Sequence, residues 1–504
     1  MKITSRKLDT SHSTANEAAL RRCERALELK DKGDYDGAQK VMRPLWQRLG
    51  ERPETRGLDP SVAAEVLLTV GILTGWVGSR SEIKEAQEAA KNLITESIAY
   101  YESVGDIKKI AAARVEIAYC YWRDGELNEA RIMLLEALQK LPAEGNTRAR
   151  ALLKLTIIEL SASRFREAFE ILTNNARLFK KVTNHTVRGT YHNELAIVQR
   201  HLAESEPLNR EDHLQQALSE LMRADHHFGL AKNKVFRSCV KNNVGLILFN
   251  LSRFKEAHKY LEEARRLSVM VRDKVRTAEI DETRAQVLLA QKKYKEAEVL
   301  AKRAAAVLER SGQKCLLADA LITRGIALAR LKQTERAQFI FQEAIEVAEQ
   351  VGALNKAGLA ALTLIEELDE LSPDTLTVAY DRASEWLANS QSQDLLLRLN
   401  AAGRKVFSTS RGELNTQDAA QAIRNKTCHL QTEVLKFEEG LIRQALTQAD
   451  GRLTRAASHL TMSYQALAYI IGSRHKDLLD ERSPVRRRRP RKKRQRRRSA
   501  TLNT

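Results

Sequence analysis

The side chains best suited to recognising a ligand stand near the end of the chain, in the segment ADGRLTRAASHLTMSYQALAYII at residues 449–471. Gln465 can pair with an adenine edge, and an alanine such as Ala468 can contact a thymine methyl group. Arg452 and Arg455 can bind phosphate oxygens. These residue types predict a contact with nucleic acid, provided that helices present them on one surface.

Three short helices follow from the spacing of apolar residues in this segment. The first covers 437–449 and the second 453–460, and the third begins after Ser463, which is a good N-cap residue. Gly451 tolerates the left-handed conformation that ends a helix. Met462 is expected to point into a small core. This order predicts a helix-turn-helix, in which the last helix enters the major groove of DNA.

The same segment resembles the Fis-type helix-turn-helix, which is also found at the C-terminus of bacterial enhancer-binding activators. The resemblance covers about residues 436–476, and the positions that fit are Gly451, Ala456, Ala457, Leu460, Met462, Ser463 and Leu467. Thr461 replaces the usual turn glycine, and a β-branched residue is strained if its φ is positive. The third helix also lacks the arginines and lysines that are usual in the family.

The helix-turn-helix interpretation assigns two sets of DNA contacts. Base contacts are predicted for Ser463, Tyr464, Gln465, Ala468 and Tyr469. Phosphate contacts are predicted for Arg452, Thr454, Arg455, Arg474, Lys476, Arg486, Arg487, Arg488 and Arg489. The alternative is a helical hairpin that only packs against other helices or serves protein contacts.

A basic tail follows the motif. Residues 486–498 contain eleven Lys or Arg and no acid, so of the net charge of +19 the rest of the chain carries 19 − 11 = +8. Like charges repel and nothing apolar anchors the tail, so we expect it to be disordered. It predicts a polyanionic partner, with DNA favoured. RNA binding, a purely solubilising role and a eukaryotic nuclear import signal are the alternatives.

Most of the chain before the motif repeats with a period near 40. Ala257, Ala297 and Ala337 are spaced by forty, and a small residue lies twelve positions before each of them. An apolar residue stands three positions before such an alanine in Tyr35/Ala38, Leu127/Ala130, Phe165/Ala168, Phe254/Ala257 and Tyr294/Ala297. Small residues at two points allow two helices to approach closely, and stacked pairs bury one continuous core.

This pattern resembles the tetratricopeptide repeat, whose usual period is 34. It predicts an all-α fold: a tetratricopeptide-like α-α superhelix of about nine helix pairs. Composition agrees, because the 504 residues contain no long run of β-branched and aromatic residues that alternates with polar ones. The predicted parts are a flexible N-terminus (1–15), the repeat superhelix (16–390), a linker with a possible dimerising helix (391–432), the Fis-type helix-turn-helix (433–478) and a disordered tail (479–504).

A superhelix of this kind presents a concave groove to a peptide or partner protein. Candidate groove residues on the first helices of the pairs are Arg188, His192, Asn193, Lys241, Asn242, Asn243 and Arg324. Asn193 and Asn243 stand two positions before presumed helix crossings, where tetratricopeptide domains that bind carboxylates often place asparagine. The alternative is that all seven are ordinary solvated polar side chains.

Apolar residues at heptad spacing run from Ala420 through Val434 and Phe437 to Leu441. They predict either a dimerising coiled coil or one amphipathic helix that lies on its own domain. The chain begins without an apolar signal-like segment and has no run of about 18 uninterrupted apolar residues, so neither secretion nor a membrane span is expected. The five scattered cysteines are expected to be buried free thiols of a reducing cytosol.

Signatures of catalysis are lacking in the sequence. It contains no GxxxxGK[ST], no HExxH, no GxSxG and no clustered Cys/His set, so we expect neither a cofactor, a metal nor an enzyme. The adjacent pair His226-His227 is not expected to share a metal, since neighbouring helical side chains diverge.

The sequence therefore predicts a bacterial, cytoplasmic, nucleoid-associated transcription regulator. Its repeats would bind a protein, a peptide or a small signal, and its C-terminus would bind DNA, as a homodimer. The alternative is a scaffold whose tail binds nucleic acid nonspecifically. An enzyme would require a site that forms only in three dimensions.

Overall fold

The computed structural model describes residues 14–412, apart from 82, 84, 163 and 389–391, and residues 430–479. Contacts divide the chain into two compact units, Met1–Phe407 and Ser408–Thr504. Helices and turns account for the described residues, which contain no strand. The fold is all-α, and the first unit is a tetratricopeptide-like superhelix.

Nine successive helix pairs and one further helix build the described part of the first unit. They are α1 (Ala15–Asp31), α2 (Tyr35–Met42), α3 (Pro60–Ser81), α4 (Ala86–Ser103), α5 (Ile107–Asp124), α6 (Leu127–Lys140), α7 (Asn146–Ser161), α8 (Phe165–Asn174) with the short α9 (Ala176–Lys181), α10 (His185–Ser205), α11 (Arg210–Leu230), α12 (Lys234–Asn250), α13 (Phe254–Met270), α14 (Lys274–Ala290), α15 (Tyr294–Arg310), α16 (Lys314–Arg330), α17 (Thr334–Gln350), α18 (Leu354–Glu367), α19 (Pro373–Leu387) and α20 (Gln393–Gly412).

Helices α12–α17 are all 17 residues long and are joined by three-residue turns. A left-handed residue recurs every twenty positions, at Lys232, Ser252, Arg272, Lys292, Gly312, Lys332 and Gly352. At the end of α12, the Arg253 N–H donates to the Leu248 carbonyl and the Ser252 N–H to the Phe249 carbonyl, each at 2.8 Å. This is the Schellman arrangement, which satisfies the last carbonyls of a helix. Two such turns per pair give the 40-residue period.

The small residues of the repeat lie where helices cross. A Cβ added to Gly245 would stand 2.5 Å from Leu261 Cγ, and one added to Gly325 would stand 2.6 Å from the Phe341 ring. Ala257, a marker of the same repeat, is fully buried. Close approach of paired helices thus depends on these positions, as the sequence predicted.

The first helix pair returns to contact the fifth and sixth. Thr186 Oγ1 and Asn233 Nδ2 each donate to the backbone carbonyl of Asp31 at 2.8 Å. Asn184 Nδ2 donates to the Asp31 carboxylate at 3.1 Å, and Arg150 pairs with the same carboxylate. The helices α1–α12 therefore close a ring, which we call the closed ring (residues 15–250).

Helix α3 has an apolar stretch, Pro60–Gly78, that by length and composition alone could cross a membrane. In the fold, 78% of the tested window is buried. Val66, Val70 and Leu73 are completely enclosed and pack with residues of α1 and α2. The apolar character of α3 is explained by its place in the core of the second helix pair.

Helix α20 begins within the predicted linker at 391–432. Its residues Ala402 and Val406 belong to the same apolar core as α18 and α19. Lys405 Nζ donates to the carbonyls of Ile365 at 2.8 Å and Leu368 at 2.9 Å. The last repeat is therefore covered by one more helix.

Residues 430–479 of the second unit form three α-helices, α21 (Leu430–Gln448), α22 (Leu453–His459) and α23 (Tyr464–Arg474), followed by a short 3-10 helix at Lys476–Leu479. Their shared core includes Ile442, Leu446, Ala456, Leu467 and Ile471. Such a core requires all three helices, since α22 spans only two turns and cannot bury its apolar face alone.

The cysteines are free among the described residues, but the expectation that all are buried is wrong. Cys23 and Cys120 are buried, Cys239 is half-buried and Cys315 is exposed. Burial raises the pKa of Cys23 to about 11 and that of Cys120 to about 12, so these two thiols stay protonated. Cys428 lies outside the described residues.

Candidate functional site

The closed ring encloses a cavity of about 400 Å³. Side chains from α1, α2, α3, α5, α7, α10, α11, α12 and α14 reach it, so residues far apart in the sequence share one site. Its charged lining residues are Lys30, Asp31, Glu116, Arg150, Lys154, Glu194 and Arg276, and its aromatic ones are Tyr35, Trp76, Tyr119, Trp122, Phe228 and Phe236.

One wall of the cavity is aromatic. Trp76 and Tyr119 stack with ring centroids 4.6 Å apart and an interplanar angle of 10°, and Tyr35 stacks on Trp76 at 6.4 Å. The ammonium groups of Lys30 and Lys154 lie 5.4 Å and 5.5 Å from the Trp76 and Tyr119 ring centroids. Both distances suit cation–π attraction, so this wall offers flat apolar faces beside positive charge.

A largely buried ion pair joins α5 to α7 at the cavity. Lys154 Nζ donates to Glu116 Oε2 at 2.8 Å and to the Val115 carbonyl at 3.0 Å. Burial lowers the pKa of Lys154. Burial also opposes the charge of Glu116, but the positive charges of Lys154 and Lys30 outweigh it and hold the pKa of that carboxyl below its ordinary value.

Asp31 holds the closed ring together electrostatically as well as through its backbone. Burial disfavours its charge, but Lys30 and Arg150 outweigh burial and lower the pKa of the carboxyl. Lys30 Nζ lies 3.4 Å from the carboxylate. The Asp31 charge is therefore balanced by two cations where the ring closes.

Glu194 lines the cavity, and few hydrogen bonds offset the burial of its carboxyl group. It is buried, and its side chain accepts one hydrogen bond, from Asn193 Nδ2 at 3.1 Å. Burial raises the pKa of Glu194 to about 7. This carboxyl changes charge near neutral pH, which alters the charge of the cavity.

Two of the seven predicted groove residues meet in the cavity. Asn243 Nδ2 donates to Asn193 Oδ1 at 3.1 Å, and both side chains line the cavity. The carboxamides link α10 to α12. The two asparagines predicted from the repeat phase are thus neighbours at one cavity.

The other five predicted groove residues lie outside this cavity. Lys241 is buried between Glu263 at 2.7 Å and Asp225 at 3.4 Å, so its charge is already neutralised. Asn242 is buried, and Arg324 pairs with Glu298 at 3.3 Å. Of the remaining two, His192 belongs to a group of histidines and Arg188 lies near that group.

The histidine group joins α10 to α11. His185 Nδ1 and His227 Nδ1 are 3.2 Å apart, and the His192 ring stacks on His227 at 5.5 Å. Burial and the neighbouring positive charge of Arg188 lower the pKa of His227 to about 4. Where the structure describes the chain, it contains no group of three His, Cys, Asp or Glu placed to hold a metal ion.

Sequence reasoning missed most of the cavity. Glu116 could have been found, because it stands two positions before the small residue Ala118, as Asn243 does before Gly245. Trp76, Arg150 and the other lining residues carry no such signal. They become neighbours only because the ring closes.

In the second unit, helix α23 presents the predicted base-contact residues. The Ser463 hydroxyl accepts from the Ala466 N–H at 3.1 Å, which confirms it as the N-cap. Tyr464 is 45% exposed and Tyr469 is 73% exposed, and Gln465 is also exposed. Ala468 is half-buried against the small core. These residues stand at i, i+1, i+4 and i+5 and share one face of the helix.

The predicted phosphate-contact residues differ in their surroundings. Arg452, Thr454 and Arg455 are exposed at the start of α22, and Lys476 is exposed after α23. Arg474 is tied to Glu438 at 3.2 Å, so part of its charge is already paired. Arg486, Arg487, Arg488 and Arg489 lie outside the described residues.

The turn between α22 and α23 keeps the left-handed conformation despite its β-branched residue. Thr461 has a φ of +51°. Its N–H donates to the Ser458 carbonyl at 3.2 Å, and the Met462 N–H donates to the Ala457 carbonyl at 3.0 Å. This is a Schellman turn with threonine where glycine is preferred. The strained threonine is thus accommodated without a change of turn type.

Comparison with protein families identifies the regular helices. The tetratricopeptide repeat model matches residues 236–310 and 276–350. These residues are tetratricopeptide repeats. Repeats of this kind build extended surfaces for protein–protein contact, and this part of the chain is such a scaffold. No curated protein matches the sequence.

Several solved structures are similar in backbone. A STAND protein with a tetratricopeptide repeat sensor from Pyrococcus horikoshii has 16% identity and a TM-score of 0.45 over 73% of this chain and 54% of its own. This chain thus spans about half that protein's length. The quorum sensor NprR from B. thuringiensis has 11% identity and a TM-score of 0.46 over 67% of this chain and 89% of its own. Yeast Tom70 has 13% identity and a TM-score of 0.40 over 81% of this chain and 85% of its own.

Proposed function

We propose that the protein is a DNA-binding transcription regulator whose repeat domain receives a protein, a peptide or a small signal. The main support is the exposed face of α23, where Tyr464, Gln465 and Tyr469 lie outside the small core. Ser463 caps the N-terminus of this helix. A helix held by two others with its outer face open is the arrangement that enters a major groove. Arg452 and Arg455, exposed on α22, supply charge for the phosphates.

The basic tail supplies most of the binding strength in this proposal. The outer face of α23 carries tyrosines and a glutamine but little charge, whereas residues 486–498 carry eleven cations. Specificity and affinity are thereby divided between helix and tail. The protein is expected to act on the nucleoid in the cytoplasm of a bacterium, without a catalytic activity of its own.

The apolar stripe on α21 supports a homodimer. Val434, Phe437 and Leu441 follow one another at heptad spacing and are 55%, 54% and 43% exposed. In this proposal the same stripe of a second copy of the chain packs against these residues. The resulting dimer would match the two-fold symmetry of a palindromic operator. Phe437→Glu is expected to convert a dimer to a monomer in sedimentation equilibrium, and an unchanged mass would remove dimerisation from the proposal.

A scaffold that binds nucleic acid without sequence choice is the second candidate. It is favoured by the same scarcity of cations on α23. Selection of bound fragments from random DNA with the full-length protein separates the two candidates. A regulator enriches one reproducible motif, and Gln465→Ala with Tyr469→Ala abolishes that enrichment. The control Gln444→Ala, exposed on α21, leaves it intact. Uniform recovery that survives the double substitution favours the scaffold.

The tail has its own test. Deletion of 484–504 is expected to lower affinity for the selected DNA and also to flatten its dependence on salt, because each phosphate neutralised contributes about −0.9 to the slope of log K against log salt. Fluorescence anisotropy at several salt concentrations measures both quantities. A slope that stays the same after deletion contradicts the proposed division between helix and tail.

A further inference from the structure

The cavity of the closed ring combines three properties that point to one class of ligand. Its volume of about 400 Å³ lies in the lower part of the ~300–1,000 Å³ range of small-molecule sites. Stacked rings form one wall, and charged residues of α1, α5, α7, α10 and α14 also line the cavity. A site of this size and lining suits a small molecule with a flat apolar body.

The charges favour an anion. The lining contributes four cations, Lys30, Arg150, Lys154 and Arg276, and three carboxyls. Two of the carboxyls are held in ion pairs with Arg150 and Lys154. The third belongs to Glu194, which does not form an ion pair within the described part of the chain. Arg276 contacts Glu279, which does not line the cavity. The lining itself therefore carries four cations and two carboxylates in ion pairs, besides Glu194.

Two donors of the lining residues lack partners. Among the described residues, neither the Nε–H of Arg276 nor the Nε1–H of Trp76 has a hydrogen-bond acceptor, although both atoms are buried. Buried donors without acceptors are costly, and charged donors form the stronger bonds to a carboxylate. One donor belongs to α14 and the other to α3, and both residues are part of the cavity lining.

We propose that the cavity of the closed ring binds a small aromatic carboxylate, with its ring beside Trp76 and Tyr119 and its carboxylate beside Arg276. This ligand would be the signal of the proposed regulator. Its effect on DNA binding rests on that proposed function, whereas its binding to the cavity does not.

Calorimetric titration of the full-length protein with 1-naphthoate tests the site, with uncharged 1-naphthamide as the comparison ligand. A ligand of this size is expected to bind with a Kd of about 1 mM or tighter. The amide, which lacks the charge, is expected to bind about tenfold more weakly. No detectable naphthoate binding, or equal binding of acid and amide, would overturn the proposal.

Arg276 offers a matched control on its own helix. Arg276 and Arg284 both lie on α14, have side-chain exposures of 30% and 28%, and pair with an acid three residues away. Arg284 does not line the cavity. Arg276→Gln is expected to weaken naphthoate binding about tenfold, and Arg284→Gln to leave it unchanged. Equal effects of the two substitutions would contradict the proposed site.

Trp76→Phe covers the case in which Arg276→Gln unfolds the protein. It keeps an aromatic ring and removes only the Nε1–H and part of the stacking face, so a several-fold loss of naphthoate affinity is expected and wild-type affinity would contradict the proposal. An acidic heptapeptide that binds more tightly than naphthoate, with the same dependence on Arg276, would replace the proposed ligand by a peptide. A protein that binds naphthoate but selects no DNA motif retains the cavity assignment and loses the regulator.

Discussion

The regular repeats α12–α17 and the earlier helices of the closed ring solve the same packing problem differently. The regular repeats keep 17-residue helices and a Schellman turn every twenty residues, and their sequence matches the repeat family. Helices α1–α10 range from 6 to 22 residues. Regular pairs propagate a superhelix, whereas unequal pairs allow its beginning to return and close around a cavity.

Buried carboxyls show the same contrast. Glu282, in the regular repeats, accepts hydrogen bonds from Thr323 at 2.7 Å and Gln286 at 2.6 Å. Glu194, in the closed ring, accepts one at 3.1 Å from Asn193. In the regular repeats, neighbouring side chains thus supply two donors to the buried Glu282 carboxyl. In the ring, the Glu194 carboxyl has one donor and lines the cavity, so it can still accept a hydrogen bond from a ligand.

The largest effect is expected at a helix crossing of the regular repeats. Gly325→Ala places a Cβ 2.6 Å from the buried Phe341 ring, which has no room to move, and should lower the free energy of unfolding by about 3 kcal/mol. Gly229→Ala, in α11, meets nothing closer than 3.9 Å and should be neutral or stabilising by up to about 1 kcal/mol. Urea unfolding followed by the helical signal measures both. Equal losses of unfolding free energy for the two substitutions would mean that the close helix crossing at Gly325 does not restrict the side chain there.

Glu194→Gln should remove a pH dependence of stability that belongs to the ring. The folded pKa is raised to about 7, so the Glu194 contribution to stability is complete below the unfolded value of about 4.5 and is lost as pH rises through 7. Between pH 5 and 8 the loss amounts to about 2.5 kcal/mol.

The difference between wild type and Glu194→Gln, measured by urea unfolding at both pH values, isolates this carboxyl from the histidines and Glu282. Exposed Glu296→Gln is the control. Parallel pH profiles for wild type and Glu194→Gln would show that the carboxyl is ionised in the fold throughout this range.

Asp31→Asn should loosen the closed ring and leave the regular repeats intact. It removes the negative charge that balances Arg150 and Lys30 while keeping the backbone carbonyl bonds, and should cost about 2 kcal/mol because the pair is only partly exposed. Hydrogen exchange should accelerate at α1 and at the start of α10, but not at 274–350. Acceleration spread evenly over both regions would erase the distinction between them.

Thr461→Gly gives the smallest effect and concerns the second unit. Glycine relieves the left-handed threonine, and protection of α22 and α23 against hydrogen exchange should rise by about 1 kcal/mol. Ser458→Gly, on the exposed face of α22, should instead lower protection by up to about 1 kcal/mol. The same sign for both substitutions would argue against strain at Thr461.

The sequence predicted what is encoded locally. Small residues at Gly245 and Gly325 and the alanine markers yielded the helix pairs and their period, because helix crossing is a short-range requirement. Ser463 and Gly451 likewise marked the ends of the C-terminal helices. Asn193 and Asn243 were found from their phase in the repeat.

The cavity could not be predicted in the same way. Asp31 meets Arg150, Asn184 and Asn233 across 119 to 202 residues of sequence. Whether such groups meet depends on the rotation accumulated over several helix pairs. Unequal helix lengths alter that rotation at every step, and no single window of sequence records the sum.

Closure of the ring is the central claim, and a double-mutant cycle between Asp31→Asn and Arg150→Gln tests it most directly. Unfolding free energies of the wild type, both single variants and the double variant give the coupling between the two side chains. Closure predicts a coupling of about 1–3 kcal/mol, because residues in contact are not additive. A coupling indistinguishable from zero would mean that α1 and α7 do not meet, and the cavity would lose its first wall.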